Sequence, residues 1–222
     1  MNQMKKEKGA VLTCVGMLLM VLLTATKIMP SSTLAGYSVF VGIAFFFIVE
    51  TVSKTSKEES GLRFHTIGAD LKKTGILYWA ILPLISVLLT TIVGTILFDR
   101  AFVDHIVGRT SAMLSFDKIP LLVIQVVIAA WGEEIAFRGF FVGKSMKYFP
   151  FWICAIVSSI FFAAGHIAVG NVPLVIFDIA TIFIDSIIFA VVYSKSGNCM
   201  ISTISHILGN SVAILITFIF FL

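Results

Sequence analysis

The sequence predicts an all-α fold: a polytopic membrane bundle of about seven transmembrane helices with its N-terminus inside the cell. Of the 222 residues, 59% are hydrophobic and only 13% are charged, whereas a soluble domain is nearer half apolar and a quarter charged. The mean hydropathy is +1.05. Several apolar runs reach the ~20 residues that a helix needs to cross a bilayer. The main solvent of this chain is therefore lipid.

Apolar runs of that length occur seven times, and each is expected to form one transmembrane helix. The first run follows basic residues, as a signal peptide would. It is long, however, and the rest of the chain is equally apolar, which favours an uncleaved span. The predicted spans are Ala10 to Met29, Ser32 to Val52, Gly75 to Phe98, Ile119 to Gly143, Phe151 to Val169, Pro173 to Tyr193, and Cys199 to Phe220.

Basic residues predict the orientation of the bundle. If the N-terminus lies inside, the inner segments, which begin with Lys5, Lys6 and Lys8, hold 11 lysines and arginines, whereas the outer segments hold 4. Because basic residues concentrate in cytoplasmic segments, this excess predicts an inner N-terminus. The net charge of +4 is then mainly a topology signal, and no basic soluble domain indicates nucleic acid as a partner. A compact chain without a targeting signal is expected in the plasma membrane of a bacterium.

The chain divides by content into two parts of one integrated membrane domain. Residues 1–114 contain the first three predicted spans and the longest linker, and residues 115–222 contain the remaining spans. The linker, residues 53–74, is polar at first and then alternates apolar residues with charges. This pattern is typical of a short amphipathic element on the cytoplasmic surface or of a solvated loop. The outer loop 99–118 carries no motif, and its His105 is expected to be exposed.

A small set of polar residues lies inside the predicted spans. An ionised side chain at the centre of a bilayer costs roughly 2.5–3.5 kcal/mol on insertion scales. Such residues face the protein interior and usually mark function. They are Glu133, Glu134, Arg138, His166, Asp178, Asp185, His206 and Asn210.

Helical spacing groups the first three of these residues. Glu134 and Arg138 are four residues apart, so they share a helix face and can form a buried ion pair that serves structure alone. Glu133 is rotated by about 100° from Glu134 and has no further cation nearby in the sequence. A buried carboxylate of this kind is suited to general-base chemistry, so Glu133 is a candidate catalytic residue.

The next hairpin brings a histidine to the depth of the glutamates. Glu133 lies 17 residues before Pro150, and His166 lies 16 residues after it. Antiparallel helices leading away from a turn at Pro150 would carry both side chains about 25 Å along their arms. The two side chains would then face each other, although a single histidine on an apolar helix is commonly only a hydrogen-bonded core residue.

The last span offers a second histidine together with an amide. His206 and Asn210 are four residues apart and share a face, so both can donate hydrogen bonds into one site. Fixed donors in a dry site stabilise a developing oxyanion. Hydrogen-bonding side chains also join helices in membrane bundles without any catalytic role.

Two aspartates complete the intramembrane set. Asp178 and Asp185 are seven residues apart and lie on nearly the same face of the sixth span. They are suited to lining a water-filled cavity, to pairing with Arg138 or to carrying protons, and the sequence does not choose among these roles.

Three short motifs give a resemblance to a known family. The segments "EEIAFR" (from Glu133), "FAAGH" (Phe162 to His166) and "HILGN" (His206 to Asn210) resemble the EExxxR, FxxxH and HxxxN motifs of the CAAX protease and bacteriocin-processing family, also called the Abi family. The motifs occur in the family's order and on separate predicted helices. The resemblance covers roughly residues 115 to 220.

The resemblance implies an intramembrane endopeptidase of the type II CAAX prenyl protease sort, with a site open towards the cytoplasm. Glu133 would activate water with the help of His166, while His206 and Asn210 would bind the oxyanion. Glu134 and Arg138, together with Phe162, would support the site. The expected partners are the bilayer and a peptide or membrane-protein substrate.

The resemblance also leaves a choice about metal. Two glutamates and two histidines on three helices can in principle bind zinc, with Glu133, His166 and His206 as ligands. The sequence has no HExxH motif, and we expect a mechanism without a cofactor.

Two other functions fit the same residues. A bacteriocin-immunity or scaffold protein would keep the fold without needing cleavage. A proton-coupled transporter would use the intramembrane acids and histidines, but the sequence shows no inverted repeats or broken helices of the kind such transporters have.

Overall fold

The computed structural model describes residues 3–29, 33–73, 75–111 and 114–220, with side chains from residue 7 onward. The start of the second predicted span at Ser32 and the side chains of Lys5 and Lys6 lie outside the described residues. Regular structure in the described ranges is entirely helical, which confirms the predicted fold class. The helices are α1 (Gln3–Ala25), α2 (Tyr37–Ser53), α3 (Ile67–Leu71), α4 (Ile76–Phe98), α5 (Arg100–Ser111), α6 (Ile119–Glu134), α7 (Gly143–Ser145), α8 (Phe151–Ala164), α9 (Val172–Ser196) and α10 (Cys199–Phe220).

Within the described ranges, six helical stretches are long and apolar enough to cross a membrane, so the chain is a multi-pass membrane protein. They match six of the predicted spans closely and are Glu7–Ile28, Leu34–Ser53, Ile76–Phe98, Ile119–Ser145, Val172–Ser196 and Cys199–Phe220. The seventh apolar helix, α8, has 14 residues and is therefore only about 21 Å long.

The early end of α8 differs from the predicted span, which runs on to Val169. The chain leaves the helix after Ala164 and turns at Gly165 and His166. Helix ends leave carbonyl groups without a backbone donor, and the His166 ring satisfies one of them: its Nδ1 donates to the Phe162 carbonyl over 2.8 Å. The residues after the turn are apolar, so hydropathy alone does not reveal where this helix ends.

A π-helical segment, Ile135–Val142, continues α6 and lies at the centre of the bundle. All eight of its residues are buried, and it packs against α2, α8 and α9. Helix α2 approaches it closely at Gly42, where a Cβ atom would lie 2.6 Å from the Cβ of Ala136. Glycine at this position therefore allows the backbones of the two elements to meet.

The linker between α2 and α4 is fixed to the bundle rather than solvated. Its second half contains the short helix α3, and Asp70 on that helix is buried. The Asp70 carboxylate accepts hydrogen bonds from Thr66 at 2.7 Å and from Asn198 at 2.9 Å, and it pairs with Lys73 at 2.7 Å. Because Asn198 lies in the turn between α9 and α10, this contact ties the linker to the end of the bundle that the charge pattern assigns to the cytoplasm.

Candidate active site

The two adjacent glutamates lie where α6 passes into the π segment. Glu134 is the last residue of α6 and is completely buried, whereas the Glu133 side chain keeps 16% of its surface exposed. The spacing of the backbone hydrogen bonds changes in this segment: the N–H of Gly143 bonds to the carbonyl of Arg138, five residues back. Such π-helical stretches are rare and frequently mark functional sites.

Arg138 forms the predicted ion pair with Glu134 and also joins α9. Its Nη1 lies 3.0 Å from Glu134 Oε1, and both residues are fully buried. Its Nη2 donates to the hydroxyl of Ser186 at 2.9 Å and to the carbonyl of Ser186 at 3.1 Å. The guanidinium also lies over the rings of Phe162 and Phe189, 4.6 and 5.2 Å from their centroids. Arg138 therefore fixes the glutamates relative to α8 and α9.

His206 lies between the two glutamates. Its Nδ1 is 3.0 Å from Glu134 Oε1, and its Nε2 is 3.8 Å from Glu133 Oε2. The ring is buried and stacks on Phe189, with centroids 4.5 Å apart and planes inclined by 23°. Since an ionised carboxylate only accepts hydrogen bonds, Nδ1 carries the proton given to Glu134. The contact thereby fixes the ring and leaves Nε2 facing Glu133.

His166 reaches the same cluster through Phe162. The rings of His166 and Phe162 have centroids 4.8 Å apart, and the ring of His206 lies 6.1 Å from that of Phe162. A carbonyl can only accept, so the bond to Phe162 places the proton of neutral His166 on Nδ1. The free nitrogen, Nε2, then carries a lone pair and is available as a base.

Asn210 lies one turn beyond His206 on α10 and is partly buried. Within the ranges that the structure describes, its side chain makes no hydrogen bond to the other predicted site residues. Its role in binding an oxyanion stays a prediction.

The two aspartates of α9 have different surroundings. Asp178 pairs with Arg109 and His105 of α5 and not with Arg138. The side chain of His105 is only 7% exposed, so the expectation that it is exposed is wrong. Asp185 lies two turns further along α9, and its Oδ1 atom is buried without a hydrogen-bond partner among the described residues.

The ion pair of Arg109 with Asp178 was missed by the sequence analysis. Arg109 Nε lies 2.9 Å from Asp178 Oδ2, which ties α5 to α9. The signal was present in the spacing: Phe102, His105 and Arg109 recur at three and four residues, as one face of a helix requires.

The described residues do not contain a group of three or more histidine, cysteine, aspartate or glutamate side chains arranged to hold a metal ion. The expectation of a reaction without a cofactor and the zinc alternative both stay predictions, and no chemical step below is routed through a metal.

The arrangement combines a partly exposed carboxylate with two imidazole rings whose orientations are fixed by hydrogen bonds. Buried neighbours orient each of these groups, which is the preorganisation that catalysis needs. A carboxylate and an imidazole lone pair can both take a proton from water, and a protonated imidazole can donate to an oxygen that gains charge.

Residues 115–212 match the sequence model of the family described as type II CAAX prenyl endopeptidase Rce1-like. The match covers somewhat less than half of the chain, and it includes all three of the short motifs. No curated protein matches the chain. No solved structure matches it either.

Proposed function

We propose that this chain, whose residues 115–212 match the type II CAAX prenyl endopeptidase Rce1-like family, is an intramembrane endopeptidase that hydrolyses a peptide bond with water activated by Glu133. The observation that carries the proposal is the position of His206, between the fully buried Glu134 and the partly exposed Glu133. A structural ion pair would need only one glutamate. The second one faces an imidazole across 3.8 Å and is not fully buried.

In the proposed reaction, Glu133 removes a proton from water as the oxygen attacks the scissile carbonyl. His166 assists through Nε2, the nitrogen left free by the hydrogen bond to Phe162. Collapse of the tetrahedral intermediate requires a proton on the leaving nitrogen, and the protonated Glu133 returns it. The carboxylate thus acts first as general base and then as general acid.

The developing oxyanion is bound by His206 and Asn210. Because Nδ1 of His206 donates to Glu134, only the imidazolium form can also donate from Nε2. In that form His206 supplies a donor held in place by Glu134, and Asn210, one turn away, adds an amide.

Glu134 and Arg138 support these groups without touching the substrate. Arg138 neutralises Glu134 and connects it to Ser186, while Glu134 sets the orientation of His206. Phe162 separates the two imidazoles and lies against both rings. Replacement of any of these three residues should disturb the geometry of the site rather than remove a proton-transfer group.

The substrate is expected to be a peptide or membrane protein that enters the bundle from the lipid or from its cytoplasmic side. His206 lies seven residues into α10, about 10 Å from the helix end that the charge pattern places inside. We assign the protein to a bacterial plasma membrane, and we propose that the reaction needs no metal.

The proposal is tested by comparing peptides released from the membranes of cells that produce the wild type or the Glu133→Gln variant. Glu58→Gln provides a matched control, since Glu58 is an exposed linker residue. We expect a set of cleavage products with the wild type and with Glu58→Gln that disappears with Glu133→Gln at equal protein level. Products that persist with Glu133→Gln would overturn the proposal and favour the scaffold or immunity function.

A further inference from the structure

A cleft of about 400 Å³ lies between the linker and the end of α2 that the charge pattern assigns to the cytoplasm. Its floor is apolar and is formed by Phe46, Phe47, Leu62 and Phe64. Phe46 is completely buried, whereas Phe47 is 48% and Phe64 is 53% exposed. Since exposed apolar side chains of a membrane protein face lipid, the cleft runs from the interior of the bundle to its boundary with the bilayer.

The rim of the cleft is polar and carries hydrogen-bond donors. It is formed by Glu50, Thr55, Ser56, Lys57, Ser60 and His65. The side chains of Lys57 and His65 are exposed, and neither makes an ion pair or hydrogen bond with another of the described residues. A lysine ammonium has three donors, and even a neutral imidazole has one. The rim therefore offers a positive charge and free donors to a ligand.

The acid among the lining residues, Glu50, is already neutralised. Its Oε1 pairs with Lys144 Nζ at 2.7 Å, and its Oε2 accepts a hydrogen bond from Ser60 at 2.9 Å. The Lys144 ammonium also lies over the ring of Phe46, 4.6 Å from the centroid. Glu50 therefore does not cancel the charge of Lys57, and an anionic group can approach the rim.

An aromatic surface leads from the cleft onto the lipid-facing side of α6. The ring of Phe64 meets that of Trp131 edge-on, with centroids 5.9 Å apart. Trp131 is 37% exposed, and Ile128 and Ile124 of the same helix are exposed as well. These three residues of α6 recur at three and four positions, so they lie on one helix face. The apolar path therefore continues from the cleft along the outside of the bundle.

We propose that this cleft binds an anionic phospholipid of the inner leaflet. Its phosphate would lie at Lys57 and His65, and an acyl chain would follow Phe64 and Trp131. A molecule with one anionic group and a long apolar chain matches free donors above an aromatic floor. Basic segments next to membrane spans attract anionic lipids, and tryptophan is typical of the membrane interface. No group of the proposed active site takes part, so this proposal goes beyond the proposed function.

The proposal is tested by the quenching of Trp131 fluorescence, with the full chain in phosphatidylcholine vesicles. The other two of the three tryptophans are removed by Trp79→Phe and Trp152→Phe, so that only Trp131 reports. A minor fraction of the lipid is replaced by phosphatidylglycerol brominated on its acyl chain or, in a matched sample, by brominated phosphatidylcholine. Because bromine quenches only at short range, the ratio of the two quenching efficiencies measures the preference for the anionic headgroup.

We expect Trp131 to show a preference of about fivefold for the brominated phosphatidylglycerol, as one lysine beside an anionic headgroup would cause. Lys57→Gln should remove most of this preference. Lys54→Gln is the matched control and should keep it, since Lys54 is exposed in the same linker but does not line the cleft. Ser56→Phe fills the cleft without changing its charge, and it should remove the preference as well.

Equal quenching by the two brominated lipids in the wild-type linker would overturn the proposal. An equal loss of preference in Lys57→Gln and Lys54→Gln would also overturn it, because that result indicates a general attraction to the basic linker. A preference that survives Ser56→Phe would place the lipid outside the cleft and contradict the proposal. The assay does not involve peptide cleavage, so its failure would leave the proposed function untouched.

Discussion

Replacing Arg138 with methionine should destabilise the protein far more than a similar change at an exposed ion pair. Methionine keeps much of the length of the side chain but leaves the fully buried Glu134 without its cation. Removing one partner of a buried pair costs about 3–5 kcal/mol. His206 still donates to Glu134 at 3.0 Å, so we expect the lower end of that range, about 3 kcal/mol.

The expected loss can be read as a thermal shift. For a chain of this size, 1 kcal/mol corresponds to roughly 2–4 °C, so the midpoint of unfolding should fall by about 6–12 °C. Cys154 and Cys199 are buried and will react with a fluorogenic maleimide only as the protein unfolds in detergent. The exposed Cys14 is replaced by serine in every variant to remove its background signal.

Two comparisons decide whether the uncompensated charge is the cause. Arg100→Met breaks an exposed pair, which is worth about 1 kcal/mol at most, so its midpoint should fall by no more than about 4 °C. The double variant Glu134→Gln/Arg138→Met contains no orphaned charge and should be more stable than Arg138→Met. Equal midpoints for Arg138→Met and Arg100→Met would refute the reasoning.

Three further predictions concern the linker, a second ion pair and metal dependence. Burial alone would raise the pKa of Asp70, but hydrogen bonds from Lys73, Thr66 and Asn198 hold this pKa well below its ordinary value of 3.8. The stability that the ionised Asp70 contributes is therefore complete above pH 3.8 and is lost as the pH falls below that value. The difference in thermal midpoint between the wild type and Asp70→Asn should accordingly shrink in acid. Lys144→Met leaves Glu50 without the Nζ that pairs with it at 2.7 Å. The thermal midpoint should fall by less than in Arg138→Met, because Glu50 is partly exposed and Ser60 still donates to it. An equal fall would contradict this reasoning. Incubation with a metal chelator should leave peptide cleavage unchanged, and loss of cleavage that added zinc restores would contradict the metal-free reaction.

The membrane-spanning helices could be predicted from the sequence, because long apolar runs mark them. Six predicted spans correspond to long apolar helices, because a helix must satisfy its own backbone groups in lipid. Hydropathy failed at the end of α8, where Gly165 and His166 turn the chain within an apolar stretch. It also gave no sign of α5 beyond a loop, since that helix is short and of mixed polarity.

The central ion pair of the site could also be predicted, from the spacing of its residues along a helix. Glu134 and Arg138 meet as their separation of four residues predicts. The π-helical segment that contains Arg138 was not foreseen, because a change of hydrogen-bond register has no signature in composition. The contacts of Arg109 with Asp178 span 69 residues, and no local pattern joins two elements so far apart in sequence.

The most direct test of the account uses purified protein in liposomes together with a peptide found among the released products. Mass spectrometry of the reaction mixture measures cleavage by the wild type, by Glu133→Gln and by Glu58→Gln. We predict complete loss with Glu133→Gln, full activity with Glu58→Gln, and oxygen from isotopically labelled water in the new carboxylate. Cleavage by Glu133→Gln at the wild-type rate would show that another group activates the water.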